Sequence, residues 1–391
     1  MRTGLERFLA TEHKKFKKQR LGFLCHQASV DEKLRHLRDL VLDPKLKLDV
    51  RCFFGPQHGI NGEKQDNMIE SQDSKDPVSG KPVYSLYGKT REPEERMMRD
   101  IDVLLVDLQD IGSRVYTFMY TMANSMRAAK RFGKKVVVLD RPNPVDGYAV
   151  EGNRLDPKFA SFVGQYPIVV RHGMTMGELA QLFNDQFGIG CDLEVIKLAG
   201  WNPKSYGDNW GRDWVTPSPN IPSFPSTLLF SGIVFFEGTN ISEGRGTTKP
   251  FEYVGAPYVD ADKLARAMNQ KKLPGVYYRP VYFQPTYQKG KDQVCGGVQS
   301  HVIDRKKFDS FRSGAELLAQ IAADGSKAFA WKQPPYEYET VKMPIDLIAG
   351  TSRLRELIDS KSSLKEYLDG AKADSKAFQK ERKPYLLYPR K

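Results

Sequence analysis

The sequence predicts an α/β protein: a mainly parallel sheet with helices on both faces, followed by a smaller α+β region. Three observations predict it. Short, near-continuous apolar runs rich in Val, Leu and Ile recur through the first half, the pattern of strands buried on both faces. Helical periodicity separates these runs, as in βαβ units. Each run passes directly into polar residues, and right-handed crossovers gather such strand ends along one sheet edge, where ligands of open α/β sheets bind.

In order, Leu21 to Cys25 reads as the first strand, and Glu32 to Leu42 as a helix with Leu34, Leu37 and Val41 on one face. Leu48 to Phe54, Val103 to Asp107, Lys135 to Asp140 and Asp192 to Leu198 read as further strands. Val115 to Phe132 reads as a helix stopped by Gly133. Thr175 and Glu178 form a capping box opening a helix that runs to Phe187. Trp201, Trp210 and Trp214, followed by Pro217, Pro219, Pro222 and Pro225, mark a non-regular crossover. Beyond it, strands are expected at Ile233 to Phe236, Gly275 to Phe283 and Gly297 to Ile303, and helices at Ala261 to Asn269 and Gly314 to Ala323. Two or three short helices follow Thr351. At 391 residues the chain exceeds one ordinary core, and the composition shift places the boundary at 1–215 and 216–391.

With 40% hydrophobic and 28% charged residues the composition is globular. No apolar run approaches the roughly 18 residues that span a bilayer. Met1 to Arg20 is basic but lacks an apolar signal core, so the expected location is the cytoplasm, with an exported form left open. Cys25, Cys52, Cys191 and Cys295 are scattered and read as reduced, buried residues. Much of the net charge of +12 lies in terminal runs (Lys14 to Arg20, Lys380 to Lys391) without any recognition-helix, zinc-finger or RNA-binding signature, so nucleic acid is not an expected partner.

No phosphate-cradle motif follows the first strand, which disfavours a nicotinamide or ATP enzyme, and no cofactor is expected. There is no G-x-S-x-G elbow. His58, His172, Asp107, Asp110 and Asp140 would have to converge to hold a metal, but no H-E-x-x-H or close histidine pair supports one. Carboxylates are the abundant chemistry. The stretch Phe236 to Thr248 packs two carboxylates, an arginine, an amide, four hydroxyls and three glycines into thirteen residues, a density that packing does not explain. Glycoside hydrolysis needs a protonated carboxylic acid at the leaving oxygen and a second group that activates water, attacks or stabilises an oxocarbenium-like transition state. Glu63, Asp107, Asp110, Asp140, Glu237 and Glu243 are the available acids, and Tyr116, Tyr120 and Trp214 offer ring faces to a sugar.

Together the motifs resemble the NamZ-type exo-β-N-acetylmuramidase family. The matching stretches are Phe54 to Gly59 (FGPQHG), Pro82 to Gly88, Asp107 to Thr117, Leu139 to Pro144, His172 to Ala180, Pro217 to Asn220 and Glu237 to Thr247, in family order over nearly the whole chain. The resemblance implies a Rossmann-like first domain, a smaller second domain and an active cleft between them. It also implies release of N-acetylmuramic acid from the non-reducing end of peptidoglycan-derived glycans. One position departs: the family commonly has glutamate where this chain has Gln57, and an amide cannot shuttle a proton. The stretch Asn61 to Met68, with Glu63, is a candidate replacement.

On this reading Glu237 or Glu243 is the expected general acid/base, with Glu63 third, and Asp107 and Asp110 orient the sugar or stabilise positive charge. Arg114, Arg141 and Arg245 are candidates for the lactyl carboxylate, since guanidinium pairs well with carboxylate. Gln57, His58, Gln109, Tyr116, Asn143, His172, Asn220 and Asn240 are expected to bind hydroxyls and the acetamido group. A peptidoglycan-sugar binder without catalysis, motivated by Gln57, and a metal-dependent hydrolase remain the competing readings.

Overall fold

The computed structural model describes residues 1–66, 68–324 and 327–390. Asn67 and Lys391, which fall in two of the stretches singled out above, lie outside the described residues.

Among the described residues twelve strands follow one another: β1 (Arg20–Cys25), β2 (Asp49–Gly55), β3 (Ser74–Lys75), β4 (Pro82–Ser85), β5 (Val103–Asp107), β6 (Lys135–Leu139), β7 (Glu151–Arg154), β8 (Val169–Arg171), β9 (Leu193–Ile196), β10 (Tyr253–Ala256), β11 (Val276–Phe283) and β12 (Cys295–Val302). Seven form one sheet in the order β3-β4-β2-β1-β5-β6-β9, parallel throughout except for the edge pair β3/β4. The sheet is buried on both faces: Phe23, Phe53 and Leu105 pack into one cluster, Leu24, Phe54 and Leu104 into another. This alternation is why the strands read as unbroken apolar runs. The second sheet, β10-β12-β11, is antiparallel, and β7 and β8 form a hairpin.

Strand order reverses direction between β1 and β5, the position where open α/β sheets leave a crevice. Here the protein's own groups leave only a small pocket of about 50 Å³, lined by Ala28, Val30, Gln109 and Arg141. The His26 ring lies 4.8 Å from Phe118 and accepts the Gln109 N–H at 2.9 Å. Ser29 donates to the Asp107 carbonyl. The cleft that could hold a substrate lies further along the edge, over the ends of β2 and β5.

Most expected elements are present within a residue or two. The capping box is observed, with Thr175 and Glu178 opening Met176–Asp185. Gly133 (φ +63°) ends Phe118–Arg131. Three expectations are corrected. The Glu32 to Leu42 helix shrinks to Leu37–Val41, because Leu34 turns left-handed (φ 60°) in the preceding loop. The short helices after Thr351 include one of 17 residues, Lys365–Glu381. The expected strand Ile233 to Phe236 is instead the end of helix Phe224–Ile233 and the 3₁₀ turn Val234–Gly238. Ser223 caps that helix and Pro225 sits in its first turn, both helix-start signals.

Helix Phe224–Ile233 crosses helix Ser310–Ala323 at Gly232 and Gly314, where a Cβ on either glycine would collide with the other helix's backbone. The close crossing fixes the turn that follows, and with it Glu237. At the far end the chain returns to the first half. Arg382 donates to the His172 and Gly173 carbonyls (2.8 and 2.6 Å), Tyr388 to Asp140 (2.5 Å) and Arg390 to Glu178 (2.7 Å). All four cysteines are buried and free. Among the described residues no helix is long and apolar enough to cross a membrane.

Candidate active site

A cleft at the carboxyl end of β2 is lined by Gln57, His58, Tyr116, Asn220, Glu237, Arg245, Tyr336 and Glu337, with Val163, Phe230 and Phe251 as its apolar wall. Gln57 and His58 follow β2 on a tight turn in which His58 (φ 71°) and Gly59 (φ +83°) are both left-handed. That turn aims the two side chains past the strand end. The His58 Nδ1–H donates to the Lys64 carbonyl at 2.6 Å, so Nε2 is the remaining acceptor. Burial depresses this imidazole to about 4, which keeps it neutral. The Tyr116 ring packs edge-on against Phe118 and Phe230, at 4.9 and 5.6 Å between centroids. Asn220 is held by Gln65 (Nδ2 to its carbonyl, 2.8 Å) and by the Tyr287 hydroxyl (3.0 Å), tying the loop after β2 to the segment after β11.

Glu237 and Arg245 form the charged centre. Arg245 Nη2 donates to Glu237 Oε1 at 2.6 Å, and Tyr336 donates its hydroxyl to Glu237 Oε2 at 2.7 Å. Burial works against charge on Glu237, but the adjoining guanidinium outweighs it, and the carboxyl lies below its ordinary range. Arg245 Nε faces Glu243 at 3.1 Å, its guanidinium lies 5.1 Å from the Phe251 ring centroid, and its Nη1 is buried without a hydrogen-bond partner. Glu243 is not a cleft residue. It pairs with Arg245 on one side and with half-buried Lys289 on the other (2.6 Å), whose amine also donates to the Phe236 and Ile241 carbonyls.

The structure thus brings Gln57, His58, Tyr116, Asn220, Glu237 and Arg245 to one cleft. Other candidates sit elsewhere with partners of their own. Asp107, fully buried, is clasped by Arg141 through Nε (2.5 Å) and Nη2 (2.9 Å). Gln109 donates to the Asp110 and Pro142 carbonyls, and Asn143 to the Met174 carbonyl. Asp110 accepts from the Gly112 N–H (2.6 Å) and lies 3.5 Å from His172, whose other ring nitrogen accepts from Met174. The Arg114 guanidinium donates to the Ile348 and Ala349 carbonyls at the end of helix Pro344–Ala349, and to those of Asn153 and Ile168. There it complements a helix C-terminus rather than lining the cleft. Asn240 is exposed and tethered to Ala328 and Ala330, and exposed Glu63 lies against Gly59, outside the cleft lining. These polar residues hold the loops on which cleft residues stand. No three His, Cys, Asp or Glu among the described residues are grouped to hold a metal ion.

Sequence reasoning missed Thr117, Tyr336 and Glu337. The last two stand on Pro334-Pro335-Tyr336-Glu337-Tyr338, a segment between helices. Its signal was the density of aromatic and acidic residues on a proline-stiffened connector.

Comparison with known proteins agrees with the fold throughout. Residues 21–225 match the family model described as the N-terminal part of exo-β-N-acetylmuramidase NamZ, and residues 228–388 match its C-terminal counterpart. The chain is 40% identical over 392 aligned positions to peptidoglycan β-N-acetylmuramidase NamZ of Bacillus subtilis, covering 99% of this chain and 91% of that protein. Two crystal structures of DUF1343 family proteins from Bacteroides fragilis superpose on it. One has a TM-score of 0.89 at 32% identity, covering 99% of both chains. The other has 0.77 at 28%, covering 99% of this chain and 98% of that one. With both family models matched in order along nearly its whole length, the chain belongs to the NamZ family of exo-β-N-acetylmuramidases.

Proposed function

We propose that this protein is an exo-β-N-acetylmuramidase that releases N-acetylmuramic acid from the non-reducing end of peptidoglycan-derived glycans, with Glu237 as the ionised carboxylate of its cleft. The observation that carries the site assignment is the Glu237–Arg245 pair. A buried carboxylate is kept charged by a guanidinium that retains one unpartnered nitrogen, Nη1. A charged carboxylate in a low-dielectric cleft stabilises the oxocarbenium-like transition state strongly or activates water. Arg245 Nη1 is the donor assigned to the lactyl carboxylate, the group that distinguishes muramic acid from glucosamine. Neutral His58 and Asn220 bind hydroxyls, and the Tyr116 and Phe251 rings border the sugar.

The free space in the cleft is about 40 Å³, well below the roughly 300 Å³ at the lower end of ligand pockets. A sugar therefore enters only as the loop after β2, the segment after β11 and the Pro334–Tyr338 connector move apart.

The test is hydrolysis of an aryl β-N-acetylmuramide and of a disaccharide with N-acetylmuramic acid at its non-reducing end, followed by mass spectrometry, with the matching β-N-acetylglucosaminide as control. Free N-acetylmuramic acid and rejection of the control are expected. Absence of turnover from acid to neutral pH overturns the activity. Binding of the disaccharide without turnover would favour the non-catalytic reading that Gln57 motivates.

A further inference from the structure

The geometry points to Glu337 as the proton donor to the glycosidic oxygen, held in place by Gln57 and Tyr87. This rests on the muramidase reading and extends it to a residue outside every motif named above.

Glu337 lines the same cleft as Glu237 and is 3% exposed. Tyr87 donates its hydroxyl to Glu337 Oε2 at 2.6 Å, and the Gln57 amide donates to Oε1 at 3.2 Å. Thr117 donates to the Gln57 carbonyl at 2.7 Å and so orients that amide. The backbone is strained here. Glu337 (φ 46°) and Tyr338 (φ 69°) are the only consecutive non-glycine residues with positive φ among the described residues. Strain of this kind persists only where surroundings enforce it, and it clusters at functional sites. The enforcement is visible. Tyr336 is bound to Glu237, the Arg91 guanidinium lies 3.3 Å over the Tyr338 ring, and the Tyr338 hydroxyl reaches Glu70.

The two cleft glutamates have opposite surroundings. Glu237 has a cation as its direct partner. Glu337 has only neutral ones, Tyr87 and Gln57. Burial, helped by the negative charge of Glu237, pushes its carboxyl above the ordinary range, against the Tyr87 and Gln57 hydrogen bonds and the more distant Arg91 guanidinium. Two acids driven apart by environment mark a donor and an ionised partner. Gln57 fits this arrangement as a neutral support: it binds the acid without competing for the proton.

In the reaction the anomeric C–O bond breaks with its electron pair on the leaving oxygen, and that oxygen takes the Glu337 proton. Water then adds to the anomeric carbon, and its proton returns to the Glu237–Glu337 pair, restoring the starting state.

The test uses the full chain and two substrates with different leaving groups. A 4-nitrophenolate leaves without protonation, whereas a sugar hydroxyl does not. Glu337→Gln is expected to slow the disaccharide at least about 100-fold, to slow the aryl muramide less than about 10-fold, and to abolish the fall of kcat/KM at high pH. Equal slowing of both substrates, or an unchanged basic limb, overturns the assignment. If Glu337→Gln does not melt cooperatively, Tyr87→Phe decides. It removes a hydrogen bond to the ionised form, so the basic limb moves to higher pH if Glu337 is the acid and stays put if it is not. Inactivity of the unmodified protein on both substrates would instead overturn the muramidase reading itself.

Discussion

The Tyr336 hydroxyl and the Glu237 carboxylate lie 2.7 Å apart across 99 residues of sequence. With this bond, the connector beyond the last strand fixes the acid delivered by the turn after helix Phe224–Ile233. Because Tyr336 donates to the charged form of Glu237, Tyr336→Phe removes support for that form and raises the carboxyl's pKa. The acid limb of kcat/KM is expected to move upward in pH, with a loss of roughly 10- to 100-fold, the range for a hydrogen bond to a charged group. A pH–rate profile in which that limb does not move refutes the role.

Glu237 and Glu243 are expected to separate into function and stability. Glu243→Gln leaves the half-buried Lys289 amine without its carboxylate, and the roughly 3–5 kcal/mol for breaking a fully buried ion pair from one side is the upper bound of the cost. Urea unfolding should show that loss, with activity per folded molecule within about tenfold of the unmodified chain. Glu237→Gln should lower turnover at least about 100-fold. The reverse pattern would exchange the two assignments.

Gln57→Glu places a second carboxyl beside Glu337 Oε1. Two carboxyls sharing one site cannot both ionise readily, so one proton is retained to higher pH. The basic limb of kcat/KM should therefore shift upward. A pH optimum that does not change would mean that residue 57 does not touch the acid.

Asp140 gives a stability prediction. Full burial pushes its carboxyl up to about 7 from an ordinary value of 3.8, although Tyr388, Gly177 and Thr175 all donate to it. Below about pH 4 both the folded and unfolded states hold the proton. Between there and about pH 7 only the folded state does, so stability falls as pH rises, by on the order of 4 kcal/mol, and then levels. Asp140→Asn does not titrate. Urea midpoints at pH 4 and pH 7.5 should show the unmodified protein losing ground to the variant, and a constant difference would contradict the shift.

The parallel sheet was legible because its strands are buried on both faces, so Leu21 to Cys25 or Val103 to Asp107 needs no periodicity to be read. The run Ile233 to Phe236 misled for the same reason: an apolar residue at every position has no period, and burial alone does not separate strand from helix. In the site, Gln57, His58 and Glu237 were legible as polar residues where apolar runs end, Arg245 as part of the dense polar stretch after Phe236, and Asn220 only through the family resemblance. Asp107, Arg141 and Arg114 carried the same mark, yet they bind neighbouring loops, since a strand-end polar group looks alike whether it serves ligand or scaffold. Glu337 was hidden because its importance comes from Tyr87 and Gln57, 250 and 280 residues away.

That long-range dependence bears on how the molecule behaves before it is finished. Detached from the first half, the Pro334–Tyr338 connector would carry an ordinary water-bathed glutamate, ionised at neutral pH and useless as an acid. Detached from the connector, the sheet edge would hold only an amide and a phenol. On the Glu337 assignment, a proton donor for the leaving oxygen exists only once the connector has closed over Gln57 and Tyr87.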